Sequence, residues 1–130
     1  MKYIRIKPVL QDHTTLSIVL PPDTVHYKYA EKDGYEYYGV ETDVIALQYP
    51  ECEAVELSFA EMQEVLSNCK YMSDVNDLIE NEIRKKYSIG KEFAMLNLDR
   101  ANLDYIAYRD YVGECKDKFN PLKVKYGLKQ

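Results

Sequence analysis

The side chains that could ligate, attack or exchange protons in this chain are few and scattered. Histidine occurs twice, as His13 in "QDHTT" and His26 in "TVHYKY", and neither has a ligating residue three or four positions on. A metal site needs such residues clustered, so both read as surface or hydrogen-bonding histidines. The cysteines Cys52, Cys69 and Cys115 are odd in number and widely spaced, with no C-x-x-C pair for zinc or redox chemistry. A Cys–His nucleophile would have to be assembled in space, with no local motif behind it. Acid pairs such as Glu51/Glu53, Asp74/Asp77 and Glu80/Glu82 are the raw material of general acid–base work. In an acidic helical chain they read first as solvated faces. There is no dinucleotide-binding glycine motif, P-loop or nucleophile elbow, and "SIGKEF" reads as a turn between helices. No catalytic residue, cofactor or metal is expected.

Tyrosine is the abundant functional side chain: 13 of them, against three phenylalanines and no tryptophan. Burying an aromatic body gains roughly 1.5–3 kcal/mol, and stranding its hydroxyl loses about 1–3 kcal/mol. Tyrosine therefore suits surfaces where the ring is covered and the hydroxyl is wet or paired, which means groove walls, thin cores and protein interfaces. In "YIAYRDYVGEC", Tyr105 and Tyr108 fall on a helical stripe with Ala101, Val112, Cys115 and Phe119, while Tyr111 lies at its border. The stripe is expected to cover the core, and Tyr111 to face a partner. Tyr35 and Tyr37, Tyr108 and Tyr111, and Leu122, Val124 and Tyr126 form the candidate partner-binding set.

The elements that must position these residues are strands first and helices after. "YIRIK" and "TLSIVL" alternate with the two-residue period of half-buried strands, and Pro21 and Pro22 stop the second. "KDG" between tyrosine-rich runs signals a hairpin. A three-residue loop, Lys32 to Gly34, is expected, because a two-residue Asp33-Gly34 turn would set Glu31 opposite Glu36. That register puts Tyr29 opposite Tyr37 and Tyr27 opposite Gly39. Tyr27, Tyr29, Tyr35 and Tyr37 then share one face, and His26, Lys28, Tyr38 and Val40 the other. "DVIALQY" and "AVEL" supply further short strands.

At Ser58 the period changes. "SFAE" is a capping box, with Leu57 and Met62 placed as a staple, and Phe59, Met62, Val65, Leu66 and Cys69 share a helical face. A second helix is expected from near Ser73, with Val75, Leu78, Ile79 and Ile83 inward. Its charged face offers Glu80 to Arg84, and Glu82 to Lys85 or Lys86. A third helix starts near Lys91, with Asp99 as the next cap, and a fourth runs from about Arg100 to Phe119, ended by Asn120-Pro121. "PLKVKYGLKQ" alternates like a strand, able to pair with "YIRIK" or with another subunit. The expectation is an α+β fold, with an N-terminal antiparallel sheet of four to five short strands and a C-terminal region of three to four helices. Residues 1–120 form one domain, β-rich over 1–57 and helical over 58–120, followed by a basic tail over 121–130.

Composition narrows the function. A net charge of −5 argues against nucleic acid, which demands a basic face. Residues 31–64 carry ten acids against Lys32, and residues 116–130 carry five lysines against Asp117, an asymmetry that can orient a partner or simply be solvated. No signal-peptide core opens the chain and no apolar run spans a bilayer, so a cytoplasmic protein with reduced thiols is expected, without membrane contact.

Residues 83–119, "IRKKYSIGKEFAMLNLDRANLDYIAYRDYVGECKDKF", resemble the C-terminal helical part of small bacteriophage and prophage tail-region proteins. The family phrase "KYSIGDE-x-A-x-L" is matched by Tyr87, Ser88, Ile89, Gly90, Glu92, Ala94 and Leu96. The phrase "Y-x-x-Y-x-x-Y-V-E-x-C-K" is matched by Tyr105, Tyr108, Tyr111, Val112, Glu114, Cys115 and Lys116. The chain departs at Lys91, where an acid is usual, and at Gly113, inserted within the helix. Gly113 suggests the close approach of another backbone. The resemblance implies a tail-assembly or virion-associated factor that binds proteins, or a second copy of itself, without cofactor or catalytic residues. The alternative is a small-molecule-binding protein or small enzyme whose site is formed by the tyrosine-rich hairpin.

Overall fold

The computed structural model describes residues 1–7, 25–41 and 54–130. The strand expectations for "TLSIVL" and "DVIALQY", and the readings of His13, Cys52 and Glu51/Glu53, lie outside them. The fold is α+β, with its sheet in the N-terminal half. Among the described residues four antiparallel strands, β1 (Lys2–Ile6), β2 (His26–Lys32), β3 (Tyr35–Val40) and β4 (Val55–Leu57), lie in the order β2-β3-β1-β4. Five helices follow among the described residues: α1 (Gln63–Asn68), α2 (Lys70–Arg84), α3 (Ile89–Leu96), α4 (Leu103–Lys118) and α5 (Asn120–Lys125).

The hairpin corrects the expected loop but keeps the expected faces. Asp33 and Gly34 both have positive φ, 55° and 81°, the two-residue turn that matches strand twist. Glu31 therefore does lie opposite Glu36. The repulsion is offset by Lys28, whose Nζ pairs with Glu31 and, at 3.4 Å, with Glu36. A bulge between Lys28 and Ala30 absorbs one residue, so Tyr29 is not opposite Tyr37, but Tyr27 returns opposite Gly39. The bulge leaves Tyr27, Tyr29 and Tyr37 together on the face that packs against the helices. His26 and Lys28 pair with Val40 and Tyr38 on the other. Gly34→Val should destabilise the protein, since a β-branched residue resists positive φ; a lowered thermal midpoint checks it.

β1 is central rather than half-buried. Flanked by β3 and β4, it buries Tyr3 on one face and Ile4 and Ile6 on the other. It offers no edge to the tail, which is not a strand. Residues 120–125 form α5 with Pro121 in its first turn, where a missing N–H costs nothing. Gly127 then turns the chain at φ 72° and Leu128 is buried. Tyr3 Oη donates to Gly127 O at 2.6 Å, and Tyr29 Oη donates to Tyr126 O at 2.5 Å. The chain thus passes position 120 without leaving the core.

The Ser58 capping box forms. Glu61 N donates to Ser58 Oγ at 3.1 Å, and Ser58 N donates to Glu61 Oε1 at 3.0 Å. It closes the turn that leads into α1, with Met62 fully buried behind it. Ser58→Ala should lower stability by about 1 kcal/mol, read from the urea midpoint. α2 starts earlier than Ser73 because Cys69 is its cap. The Cys69 thiol accepts from Met72 N at 3.4 Å and donates to Leu66 O at 3.2 Å. Val75, Ile79 and Ile83 line the inward stripe, whereas Leu78 is exposed.

Candidate protein-docking surface

The candidate tyrosines are largely spent inside the molecule. Tyr108 is buried, and its hydroxyl donates to Glu92 Oε2 at 2.6 Å. Tyr111, expected to face a partner, donates to Glu82 O at 2.9 Å and so ties α4 to α2. Tyr37 packs on the helix-facing core, and Tyr35 is half-buried with the Arg5 guanidinium 4.6 Å from its ring centre. Tyr126 stacks at 4.8 Å on Tyr71 and meets Tyr27 edge-on at 5.4 Å. Leu122 packs against the core, and Val124 alone of the seven is exposed. These residues do not converge on one surface. Among the described residues nothing lies within 4 Å of a Cβ placed on Gly113, so none of their backbone makes the expected close approach.

Nor do the described residues gather reactive groups. They hold no cluster of three His, Cys, Asp or Glu side chains able to bind a metal. Burial pushes the Cys69 thiol up and away from the nucleophilic thiolate. Burial, then the neighbouring Glu36, does the same for Tyr38. A shallow groove of about 560 Å³ runs beside β4 past Tyr3, Leu57 and Phe59; its one hydroxyl from a serine, Ser58, already serves the cap. None of the helices described is long and apolar enough to cross a membrane.

What stands open is α3. Ser88 caps it, accepting from Lys91 N at 3.2 Å, and none of its residues is fully buried. Ile89, Phe93 and Leu96, at i, i+4 and i+7, span about 60° of the helix surface and are 69%, 70% and 48% exposed. α4, capped by Asn102 rather than Asp99, opens with Leu103, 81% exposed. Single exposed apolar residues mean little. Three aligned on one helical face form the anchor pattern by which helices and grooves recognise each other.

The posture of that face is set from one side. Glu92, about 40° round α3 from Leu96, accepts from Tyr108 and also from Arg84 Nη2 at 3.0 Å. Arg84 pairs with Glu80 as well, at 3.5 Å, and Arg84 Nη1 donates to Tyr87 O at 3.4 Å. The Tyr108 hydroxyl and the Arg84 guanidinium hold the Glu92 carboxyl below the usual range. Burial, reinforced by that carboxylate, pushes the Tyr108 hydroxyl up to about 12. One carboxylate thus joins α2, α3 and α4. Glu82 makes a second tie, pairing with Lys85 at 2.9 Å and with Lys118 at 3.0 Å. The i, i+4, i+7 stripe was present in "SIGKEFAML", but periodicity does not say whether an apolar stripe is covered. Comparison with family models, with curated proteins and with solved structures finds no match to this chain.

Proposed function

We propose that the chain is a non-enzymatic protein-interaction module whose working surface is the exposed face of α3. It acts in the cytoplasm in the assembly of a phage tail, or is carried as a virion-associated component. The observation that carries the binding role is the aligned exposure of Ile89, Phe93 and Leu96 on a helix anchored through Glu92. The setting is supported by the likeness of residues 83–119, which include α3 and α4, to phage tail-region proteins. The hairpin tyrosines give the small-molecule reading less support, since Tyr29 spends its hydroxyl on a backbone carbonyl and Tyr27 and Tyr37 their rings on the core.

The test is direct binding of the full-length chain to the tail-region proteins encoded beside its gene, by interferometry, with Phe93→Asp as control. Binding lost in the variant supports the reading. A wild-type protein that binds none of them, neither itself nor a neighbour, overturns it.

A further inference from the structure

The C-terminal segment meets α2 through two tyrosine rings. α5 packs against α2, and Tyr126, one residue past α5, lies over Tyr71 with ring centres 4.8 Å apart and planes inclined at 31°. Among the tyrosine pairs of the described residues this contact is both the shortest and the most nearly parallel. Tyr87–Tyr108 is next at 5.1 Å but crosses at 82°, and Tyr27 meets Tyr71 and Tyr126 at 83° and 84°. An edge-on pair points one rim at the other ring's face, whereas a near-parallel pair lays ring carbons over ring carbons. Burial, then charge on the Tyr126 hydroxyl, pushes the Tyr71 hydroxyl up, so the two hydroxyl ends are neighbours as well. Both residues are half-buried, which leaves a small oxidant access to them. Tyr3 and Tyr29, by contrast, are buried and donate to backbone carbonyls, which cannot take up the proton that oxidation of a phenol releases.

We propose that Tyr71 and Tyr126 form an oxidative cross-linking site that ties the C-terminal segment covalently to α2. A one-electron oxidant removes one electron and one proton from each phenol in turn. The two phenoxyl radicals join through the carbons ortho to their oxygens, and each displaced ring hydrogen moves to the adjacent oxygen. The product is a biphenol lighter by two hydrogen atoms, and the oxidant has taken up two electrons. The new bond closes a loop of roughly 55 residues, which restricts the unfolded chain as a disulfide does. It also fixes the segment whose carbonyls, on Tyr126 and Gly127, accept from Tyr29 and Tyr3.

Photo-oxidation of the dilute full-length protein with ruthenium(II) trisbipyridine and persulfate reads this out, the persulfate taking the two electrons and leaving as sulfate. The main product should be a single chain lighter by two hydrogens, with biphenol fluorescence and a raised melting temperature. Trypsin should release residues 71–84 joined to residues 126–129, two peptides that hold one tyrosine each. Tyr71→Phe and Tyr126→Phe keep the packing ring and should each reduce that joined pair at least tenfold. Unfolding the wild type in urea before irradiation should abolish the preference for it. A link within the chain that maps mainly to another pair, a preference that survives unfolding, or no link within the chain under conditions that couple free N-acetyltyrosine overturns the proposal.

Discussion

Removal of residues 126–130 is expected to destabilise the protein by about 4–8 kcal/mol, most of the stability of a domain this size. The cut takes away the carbonyls of Tyr126 and Gly127, which accept from Tyr29 and Tyr3. Each hydroxyl left without a partner costs about 1–3 kcal/mol. It also removes Leu128, buried in the main core cluster, worth roughly 1.5–3 kcal/mol, and the Tyr126 ring from its stack on Tyr71 and Tyr27. Gly127 is part of the same fit. Its φ is positive, and a Cβ there would meet the Tyr29 hydroxyl at 2.6 Å. Gly39 faces the same hydroxyl from the sheet, where a Cβ would collide with it. Thermal and urea unfolding of the truncated chain check the expectation, with Leu128→Ala separating the apolar share. A truncation that melts with the full-length protein would mean the sheet closes without this segment.

That segment shows why the sequence reading failed where it did. Leu122, Val124 and Tyr126 alternate with lysines, but over so few residues the same apolar positions also fit a helical turn, Leu122 to Tyr126 being i, i+4. Asn120-Pro121 does end α4 as expected, but Pro121 also opens the first turn of a further helix, α5. The decision was made by contacts more than 90 residues away, with Tyr3 and Tyr29. The hairpin failed more narrowly. The repulsion of Glu31 and Glu36 was a sound local argument, but Lys28 sits within reach of both and a bulge restored the faces. Local signals with a local mechanism, the Ser58 box and the turn glycine, were legible because nothing distant competes with them.

The candidate site was less legible than the fold. Tyrosine chemistry rightly demanded partners for the hydroxyls, but in five cases the partner is this chain: Gly127, Tyr126, Glu36, Glu92 and Glu82 supply the acceptors. The residues that remain open are aliphatic and aromatic ones that look like ordinary core in the sequence. An amphipathic stripe reports which side of a helix is apolar. Whether that side finds a neighbour depends on how the helix is docked, and for α3 the docking comes through Glu92 beside the stripe.

Glu92→Ala is therefore expected to loosen α3 selectively. No residue of α3 is fully buried, so this carboxylate is a substantial part of its attachment. The substitution leaves the Arg84 guanidinium with Glu80 alone among its carboxylate partners and strips the buried Tyr108 hydroxyl of its acceptor. A hydrogen bond between Tyr108 and a charged group is worth roughly 1.5–3 kcal/mol. Local opening of residues 89–96 should rise by at least tenfold while β1, β3 and α2 keep their protection. The same tie predicts a pH response. The folded Glu92 carboxyl lies below its ordinary value, first through Tyr108 and then through Arg84. Its contribution is therefore complete above the ordinary glutamate range and is lost as pH falls through the depressed folded value. Amide hydrogen exchange, expressed as protection relative to the unstructured chain, should show α3 opening in acid ahead of the sheet. In Glu92→Ala that acid step should be absent. Equal loss across all helices, or an acid step that survives the substitution, would mean that α3 is held by something other than the Arg84–Glu92–Tyr108 tie.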